Sequence, residues 1–322
     1  DRPPVGSDVA CKITIEELQR HRVRVLVEIV RPDGTVWIRI RDWEDWRFHW
    51  PARYRDVFRQ PQGIFVGEGI ALEDPQRGPV GQARCVWLEP PADMGRPVWR
   101  DVLEAIQLGP AERATFLASC GPDRRRSHRL WGRIAAKEAA RRLWQAEGLP
   151  ATYPADLAIV ADGAGRPFLV PVEDPDDRTL PAISIAHADG VALALAASNP
   201  AARVGIDVET IADRPTGFEE SAFTPGERAL LSRWTGASRA EWVARFWCAK
   251  EAAAKASGAG LAAGAASAEV VWLAEESGEM HVRLSTELLA ACSERIESPL
   301  RIVSARRGNY AWAWTLGEGA EV

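Results

Sequence analysis

The chain has 322 residues, of which 46% are hydrophobic, and its formal net charge is -5 at pH 7. This length exceeds that of one average domain and predicts two folded units, with enough apolar residues for buried cores. The negative charge argues against a nucleic-acid partner, which needs a basic face, and without a long apolar run or a signal peptide we expect no membrane partner.

Residues 1–98 are expected to form a separate, mostly β segment. Alternating apolar residues predict strands over 23–30 and 36–41, and Asp33-Gly34 between them is a strong hairpin signal. The proline-rich stretch at 89–99 is typical of a linker to the rest of the chain.

Residues 123–148 predict a long helix that is rich in arginine and alanine. Helical spacing places four cations along one face, namely Arg126, Arg129, Arg133 and Lys137. Arginine suits phosphate because its planar guanidinium donates hydrogen bonds in pairs. The cluster is therefore a candidate anion site, although each residue taken alone also fits a solvated charged face.

Two further cations are expected at turns. A strand over 157–161 and the turn after it present Arg166. Residues 183–197 predict a hairpin that turns at Asp189-Gly190 and places His187 at a strand end. A histidine beside phosphate tends to keep its proton, because a nearby anion favours the charged form.

Residues 204–209 alternate as a strand does. The pattern divides them between two faces, with Val204, Ile206 and Val208 on one and Gly205, Asp207 and Glu209 on the other. Two carboxylates on one face repel each other, and a divalent cation such as Mg²⁺ would relieve that repulsion. An exposed strand face fits the same pattern.

Residues 238–257 predict a helix that begins at a capping box of Ser238 and Glu241 and ends at Gly258. Glu251 and Lys255 lie one turn apart on it, and the small alanines between them would leave room for a ligand. The same spacing is common in solvated surface pairs.

These stretches together resemble one family. Gly205-Ile-Asp-Val-Glu209, followed by Trp247-Cys-Ala-Lys-Glu-Ala-Ala-Ala-Lys255, resembles the signature of the Sfp-type 4′-phosphopantetheinyl transferases. Three more segments are similar to family motifs and lie in the same order, namely Gly165-Arg166-Pro167, Ile183-Ser-Ile-Ala-His187 and Phe223-Thr-Pro-Gly-Glu227. The resemblance runs from about residue 100 to the end of the sequence.

The resemblance implies an α/β (α+β) fold, built as a pseudo-two-fold pair of related α/β halves at about 99–198 and 199–322. It implies an enzyme that moves the phosphopantetheine arm of coenzyme A to a serine of an acyl carrier protein or domain and releases 3′,5′-ADP. Asp207, Glu209 and Glu251 would hold Mg²⁺. Glu251 would act as the catalytic base, and Lys255 would stabilise charge on the leaving phosphate.

The resemblance also implies phosphate contacts for coenzyme A from Arg126, Arg129, Arg133, Arg166, His187 and Lys255, with Lys137 as a possible addition. Glu227 is a possible metal ligand or base, although a capping box with Thr224 already gives it a structural role. Many family members carry Ser-His-Ser where this chain has Ala186-His187-Ala188. The hydroxyls that could bind phosphate oxygens are therefore missing here.

Residues 1–98 resemble the end of a polyketide synthase dehydratase, as found before the transferase in enediyne-type iterative synthases. The segment is too short for the double hot-dog fold, so we expect no dehydratase activity. A carrier domain of such a synthase is the expected partner, in antibiotic biosynthesis. Five cysteines without metal spacing predict reduced thiols in the cytoplasm. Two alternatives stay open: a Mg²⁺-dependent nucleotide-diphosphate phosphohydrolase and a non-catalytic docking domain.

Overall fold

A computed structural model of the protein describes residues 6, 8–20, 22–46, 52–91, 97–119, 123–172, 178–261, 264–292 and 296–317. The chain divides into two compact units, Asp1–Arg55 and Asp56–Val322. Helices and strands are both well represented, which confirms the predicted mixed fold class. Over the described ranges, no helix combines the length and apolarity that crossing a bilayer requires.

The first unit contains an antiparallel sheet of β1 (Ala10–Leu18), β2 (Arg22–Val30) and β3 (Val36–Trp46). The hairpin between β2 and β3 turns at Gly34, where the backbone has a φ of 83°. Asp33 accepts a hydrogen bond from the backbone N–H of Thr35 at 2.9 Å. The predicted hairpin and the strand-rich character of this segment are therefore confirmed.

The second unit contains the other strands. In chain order these are β4 (Glu68–Ile70), β5 (Glu73–Asp74), β6 (Gly78–Pro79), β7 (Ala83–Leu88), β8 (Leu157–Ala161), β9 (Pro167–Pro171), β10 (Ala182–Ala188), β11 (Val191–Ala197), β12 (Arg203–Thr210), β13 (Ala268–Ala274), β14 (Glu279–Leu284), β15 (Leu300–Arg307) and β16 (Tyr310–Gly317).

The helices are α1 (Ala52–Arg59), which spans the division between the units, α2 (Pro97–Gln107), α3 (Pro110–Ser119), α4 (Asp123–Ala146), α5 (Phe218–Ala222), α6 (Pro225–Leu231), α7 (Gly236–Ser257) and α8 (Thr286–Ala291).

Two antiparallel sheets in the second unit each carry one long helix. The first sheet has the strand order β10-β11-β7-β4 and packs against α4, while the second has the order β12-β16-β15-β14-β13 and packs against α7. The long helices have 24 and 22 residues. Each half is thus one long helix on one antiparallel sheet.

The division between the units differs from the expected boundary at residues 98 and 99. Strand β7 pairs with β11, and the side chain of Trp87 on it is buried. Between β5 and the second sheet, both terminal nitrogens of Arg301 donate to the carboxylate of Asp74 at 2.6 and 2.7 Å. Residues 56–91 therefore belong with the second unit, because their apolar strand completes its first sheet.

The two sheets share a core. Val204, Ile206 and Val208 on β12 point into it together with Trp312 and Trp314, as the alternation predicts. The backbone N–H of Ile206 also donates to the hydroxyl of Ser184 on β10 at 3.1 Å. This seam places the start of β12 beside β10, the strand that carries His187.

The opposite face of β12 lies against α7. A Cβ added to Gly205 would come within 1.9 Å of the carbonyl oxygen of Ala252, so only glycine permits this approach. Ala252 and Ala256 are fully buried in the contact. The expectation that the small residues leave room for a ligand is therefore wrong at these positions, because they let the helix backbone approach the strand.

The sequence prediction is correct for the end of α7 and wrong for its start. The helix starts at Gly236 after Thr235, and not at the predicted capping box of Ser238. Glu241 instead binds Arg245, one turn along the helix, at 2.6 Å. The predicted end is confirmed, since Gly258 adopts a left-handed φ of 77°.

Replacing Gly205 with alanine tests the contact between α7 and β12. The added methyl group meets the backbone of Ala252, so we expect the free energy of unfolding to fall by about 1–3 kcal/mol or more. Thermal unfolding measures the loss. Gly163→Ala is the matched control, because a Cβ there meets nothing within 4 Å. Equal unfolding midpoints for the two variants would contradict the close approach.

Replacing Asp74 with asparagine tests the attachment of residues 56–91. Hydrogen bonds from Arg301 hold the pKa of Asp74 well below its usual range. Such a carboxylate stabilises the fold above its unfolded pKa and loses that contribution as the pH falls towards the folded value. Asp74→Asn should therefore unfold at lower urea concentration at pH 7, and the difference from wild type should shrink below about pH 4. A difference in urea midpoint between the variant and wild type that stays constant with pH would contradict this explanation.

Candidate functional site

The centre of the site is the ion pair between Asp207 on β12 and Lys255 on α7. The Lys255 ammonium donates to Oδ1 of Asp207 at 2.7 Å and to the carbonyl oxygen of Ile206 at 3.0 Å. Asp207 is buried, whereas the Lys255 side chain keeps 30% of its exposure. The sequence predicted both residues, and the structure brings them together.

Glu209 lies two residues further along the same face of β12. Its Oε2 accepts a hydrogen bond from Arg214 at 2.8 Å, and both side chains are partly exposed. The Arg214 guanidinium also lies 5.2 Å from the centre of the Phe218 ring. Sequence analysis missed Arg214, because an arginine in an irregular loop carries no signal for the carboxylate that it reaches.

Glu251 is electrically coupled to both carboxylates of β12. Burial, and then the charge of Asp207, raise the pKa of Glu251, and Glu209 adds to the effect. Burial likewise raises the pKa of Asp207, against the opposing charge of Lys255. The site therefore holds more negative charge than its own cations compensate.

These features fit an oxygen-liganded cation. Asp207 presents a second carboxylate oxygen, Oδ2, which is buried and accepts no hydrogen bond of ordinary geometry from the described residues, although weaker contacts from the Cys248 thiol and the Val208 N–H lower the pKa of this carboxyl. Mutual repulsion among three carboxylates is what a divalent cation relieves, and carboxylate oxygens are the donors that Mg²⁺ prefers. Within the described ranges, however, no group of three His, Cys, Asp or Glu side chains is already arranged around a metal position. The ligand set stays a prediction.

Cys248 lies one turn before Glu251 and is completely buried. Its thiol donates to the carbonyl oxygen of Ala311 at 3.4 Å, and burial raises its pKa well above the usual value. A thiol in this state is a packing group and not a reactive one.

The prediction of Lys137 as a phosphate ligand is wrong. The side chain is fully buried, and its ammonium donates to Glu112 at 2.6 Å and to the carbonyl oxygens of Gln107 and Pro154 at 2.6 and 3.0 Å. All three donors of the ammonium are therefore used inside the protein. Helical spacing placed Lys137 on the arginine face, but it could not show that α3 covers that part of the helix.

Two of the predicted arginines are also paired within the protein. Arg126 donates from Nε to Glu104 at 2.7 Å and from a terminal nitrogen to Asp101 at 3.1 Å. Arg133 lies 3.4 Å from the carboxylate of Glu112. A phosphate at either guanidinium would have to share it with these carboxylates.

Arg129 and Arg166 are both partly exposed. The carbonyl oxygen of Arg129 accepts a bond from Arg133, and one terminal nitrogen of Arg166 donates to the carbonyl oxygen of Ala202 at 3.5 Å. Ala202 immediately precedes β12. Arg166 thus lies beside the strand that carries Asp207.

His187 lies at the end of β10, as predicted; the residue as a whole is exposed, but neighbouring groups partly cover its ring. The ring of His128 on α4 approaches it edge-on at a centroid distance of 5.5 Å. Burial lowers the pKa of His187, and the charges of His128 and Lys255 lower it further. The surrounding protein thus favours the neutral ring, and a bound anion would oppose this shift.

Glu227 is not part of this site. It caps α6 with Thr224 as predicted, it is fully buried, and its Oε2 accepts a bond from Lys250 at 2.7 Å. Its Oε1 accepts a further bond from the backbone N–H of Val270 at 2.9 Å. The possible role as metal ligand or base is therefore wrong, because both oxygens are occupied inside the core. No local sequence pattern indicates that Lys250 is the buried partner of Glu227.

A cavity of 550 Å³ adjoins the site. It is lined by residues 212–217, by Glu219 and Glu220, and by the first turns of α7, including Arg239 and Val243. Arg214 is part of this lining and also binds Glu209, so it links the cavity to the carboxylates.

Comparisons with known proteins locate the same region. Residues 203–315 match the model of the 4′-phosphopantetheinyl transferase superfamily. A segment of 62 residues is 47% identical to a holo-[acyl-carrier-protein] synthase from Gluconobacter oxydans (strain 621H), and the match covers 19% of this chain and 38% of that protein. The chain thus spans well under half the length of this relative.

Among solved structures, the crystal structure of Thermotoga maritima holo-[acyl-carrier-protein] synthase (AcpS) is 22% identical, with 44% of this chain and 74% of that chain covered and a TM-score of 0.29. That score is too low for a comparison of geometry. The family match is narrower than the resemblance expected from about residue 100 to the end of the sequence. It nevertheless contains Asp207, Glu209, Glu251 and Lys255. The region around Asp207, Glu209, Glu251 and Lys255 is therefore a 4′-phosphopantetheinyl transferase superfamily domain, at residues 203–315.

Proposed function

We propose that the protein transfers the 4′-phosphopantetheine arm of coenzyme A to a serine of an acyl carrier protein or domain, with Mg²⁺, and releases 3′,5′-ADP. The observation that carries this proposal is the cluster of Asp207, Glu209, Glu251 and Lys255 inside the region that matches the family model. A partly buried acidic cluster beside a partly exposed lysine is suited to a diphosphate and its metal.

Asp207, Glu209 and Glu251 would hold the Mg²⁺. When bound, the metal neutralises charge on the diphosphate of coenzyme A. The buried carboxylate of Asp207 supports this role, because Lys255 binds its Oδ1 and no hydrogen bond of ordinary geometry from the described residues occupies its Oδ2. Arg214 would remain close to Glu209 and hold the loop of residues 211–217 beside the metal residues.

Glu251 is the proposed base. A serine hydroxyl is a weak nucleophile near neutral pH, so its proton must pass to an acceptor as the oxygen attacks phosphorus. In the metal-free site, burial and the charge of Asp207 raise the pKa of Glu251. The new bond joins the serine oxygen to the phosphorus of phosphopantetheine, and the broken bond joins that phosphorus to the bridging oxygen, which leaves with 3′,5′-ADP.

Lys255 is the proposed partner of the leaving phosphate. Its ammonium is on Asp207 at 2.7 Å, and its 30% exposure allows it to turn towards a bound anion. A positive charge at the leaving oxygen is typically worth about 3 kcal/mol of barrier. Arg129, Arg166 and His187 are proposed for the remaining phosphates, with weaker contributions from Arg126 and Arg133.

The proposed partner is a carrier domain of a polyketide synthase, in the cytoplasm and in the context of antibiotic biosynthesis. This part rests on the sequence resemblance of residues 1–98 to a dehydratase end and on the strand-rich first unit. In agreement with a reducing compartment, all four cysteines in the described ranges are free thiols.

The test is to incubate the protein with a carrier domain, coenzyme A and Mg²⁺, and to weigh the intact carrier by mass spectrometry. We expect the carrier to gain one phosphopantetheine, and Glu251→Gln to slow this gain by about a hundredfold or more, because the base is lost. Chelation of the metal should also stop the reaction.

Glu227→Gln is the matched control. It removes a carboxylate that belongs to another family motif and lies outside the site, so we expect a lower thermal unfolding midpoint and near-normal activity of the folded protein. Equal loss of activity in both variants would contradict the assigned roles. Consumption of coenzyme A with no modified carrier would favour the phosphohydrolase, and no reaction at all would favour a docking domain.

A further inference from the structure

Tyr310 bridges the two halves of the second unit at the seam. It begins β16, where it pairs with Thr210 of β12, one residue beyond Glu209. Its hydroxyl donates to the carbonyl oxygen of Asp189 at 2.7 Å. Asp189 is in the turn between β10 and β11, which belong to the other sheet. The Tyr310 side chain thus connects β16, at the point where it pairs with the end of β12, to the turn beside His187.

The backbone of the turn at Gly190 leaves space for the Tyr310 hydroxyl. Gly190 has a φ of 81°, and a Cβ there would come within 3.1 Å of the Tyr310 hydroxyl oxygen. The Tyr310 ring packs edge-on against Trp87 of β7 at a centroid distance of 5.7 Å. Because Trp87 is buried, the ring has a fixed support, and the hydroxyl reaches the turn from a defined direction.

The other side of the turn faces α4. His128 lies edge-on to the His187 ring, and its Nε2 is 3.9 Å from a carboxylate oxygen of Asp189. The turn thus lies close to His128 of the first half and accepts a hydrogen bond from Tyr310 of the second half. His187 is in strand β10, two residues before Asp189, so motion of the turn also moves the imidazole.

We propose that Tyr310 is a positioning residue for coenzyme A: its hydroxyl fixes the turn at 188–190 and thereby holds the His187 ring in place beside His128. The proposal rests on the proposed function, because it assigns His187 to a phosphate of coenzyme A. Tyr310 itself touches no reacting atom. Its hydrogen bond supplies order before the ligand arrives, so its loss weakens binding more than it slows the chemical step.

The test compares Tyr310→Phe with wild type in three measurements. Hydrogen exchange of the peptide covering residues 186–192 should become faster in the variant. The Kd and KM for coenzyme A should rise about two- to tenfold, which is the weight of one ordinary hydrogen bond. The kcat at saturating coenzyme A should change by less than about twofold, since the acidic site is intact.

Tyr153→Phe is the matched control, because it removes a tyrosine hydroxyl from a side chain that is 48% exposed, between α4 and β8. We expect it to match wild type in all three measurements. Unchanged exchange, or unchanged affinity for coenzyme A in Tyr310→Phe, would overturn the proposal. A fall in kcat with unchanged affinity would overturn it as well. If wild type fails to bind coenzyme A, the proposed function fails first, and the exchange measurement still reports whether Tyr310 holds the turn.

Discussion

The contact between α7 and β12 is the constraint on which the candidate site depends. The carbonyl oxygen of Ala252 lies so close to Gly205 that any side chain at this position would push the helix away. Two residues further along the strand, the same approach brings Asp207 within reach of the Lys255 ammonium. Asp207 and Lys255, which are 48 positions apart in sequence, thereby share one acidic cluster, and the buried alanines of α7 permit that approach.

Two lysines of α7, Lys250 and Lys255, each pair with a carboxylate but differ in how far they are buried. Lys250 is completely buried on Glu227, whose other oxygen accepts a backbone N–H, so that pair is closed to any ligand. Lys255 remains 30% exposed on Asp207, whose second oxygen accepts no hydrogen bond of ordinary geometry from the described residues. Breaking the first pair would leave a buried charge alone, whereas the second pair can exchange partners with a cation and an anion.

Much of the fold and part of the site follow from local sequence patterns. Alternation along 204–209 predicts the two faces of β12, Thr224 and Glu227 predict a capping box, and Asp189-Gly190 predicts the turn beside His187. The failures involve tertiary contacts. Lys137 lies on the predicted helix face but is buried on Glu112, and β7 joins a sheet with a strand more than a hundred residues away. Spacing along one element cannot show which other element covers it.

The central claim is that the acidic cluster couples departure of 3′,5′-ADP to modification of a carrier serine. The most direct measurement is the ratio of 3′,5′-ADP released to carrier serines modified, from chromatography and intact mass on the same reaction. The account predicts one nucleotide per modified serine and no release without a carrier. Release of nucleotide from coenzyme A alone, or in large excess over modified serine, would contradict it.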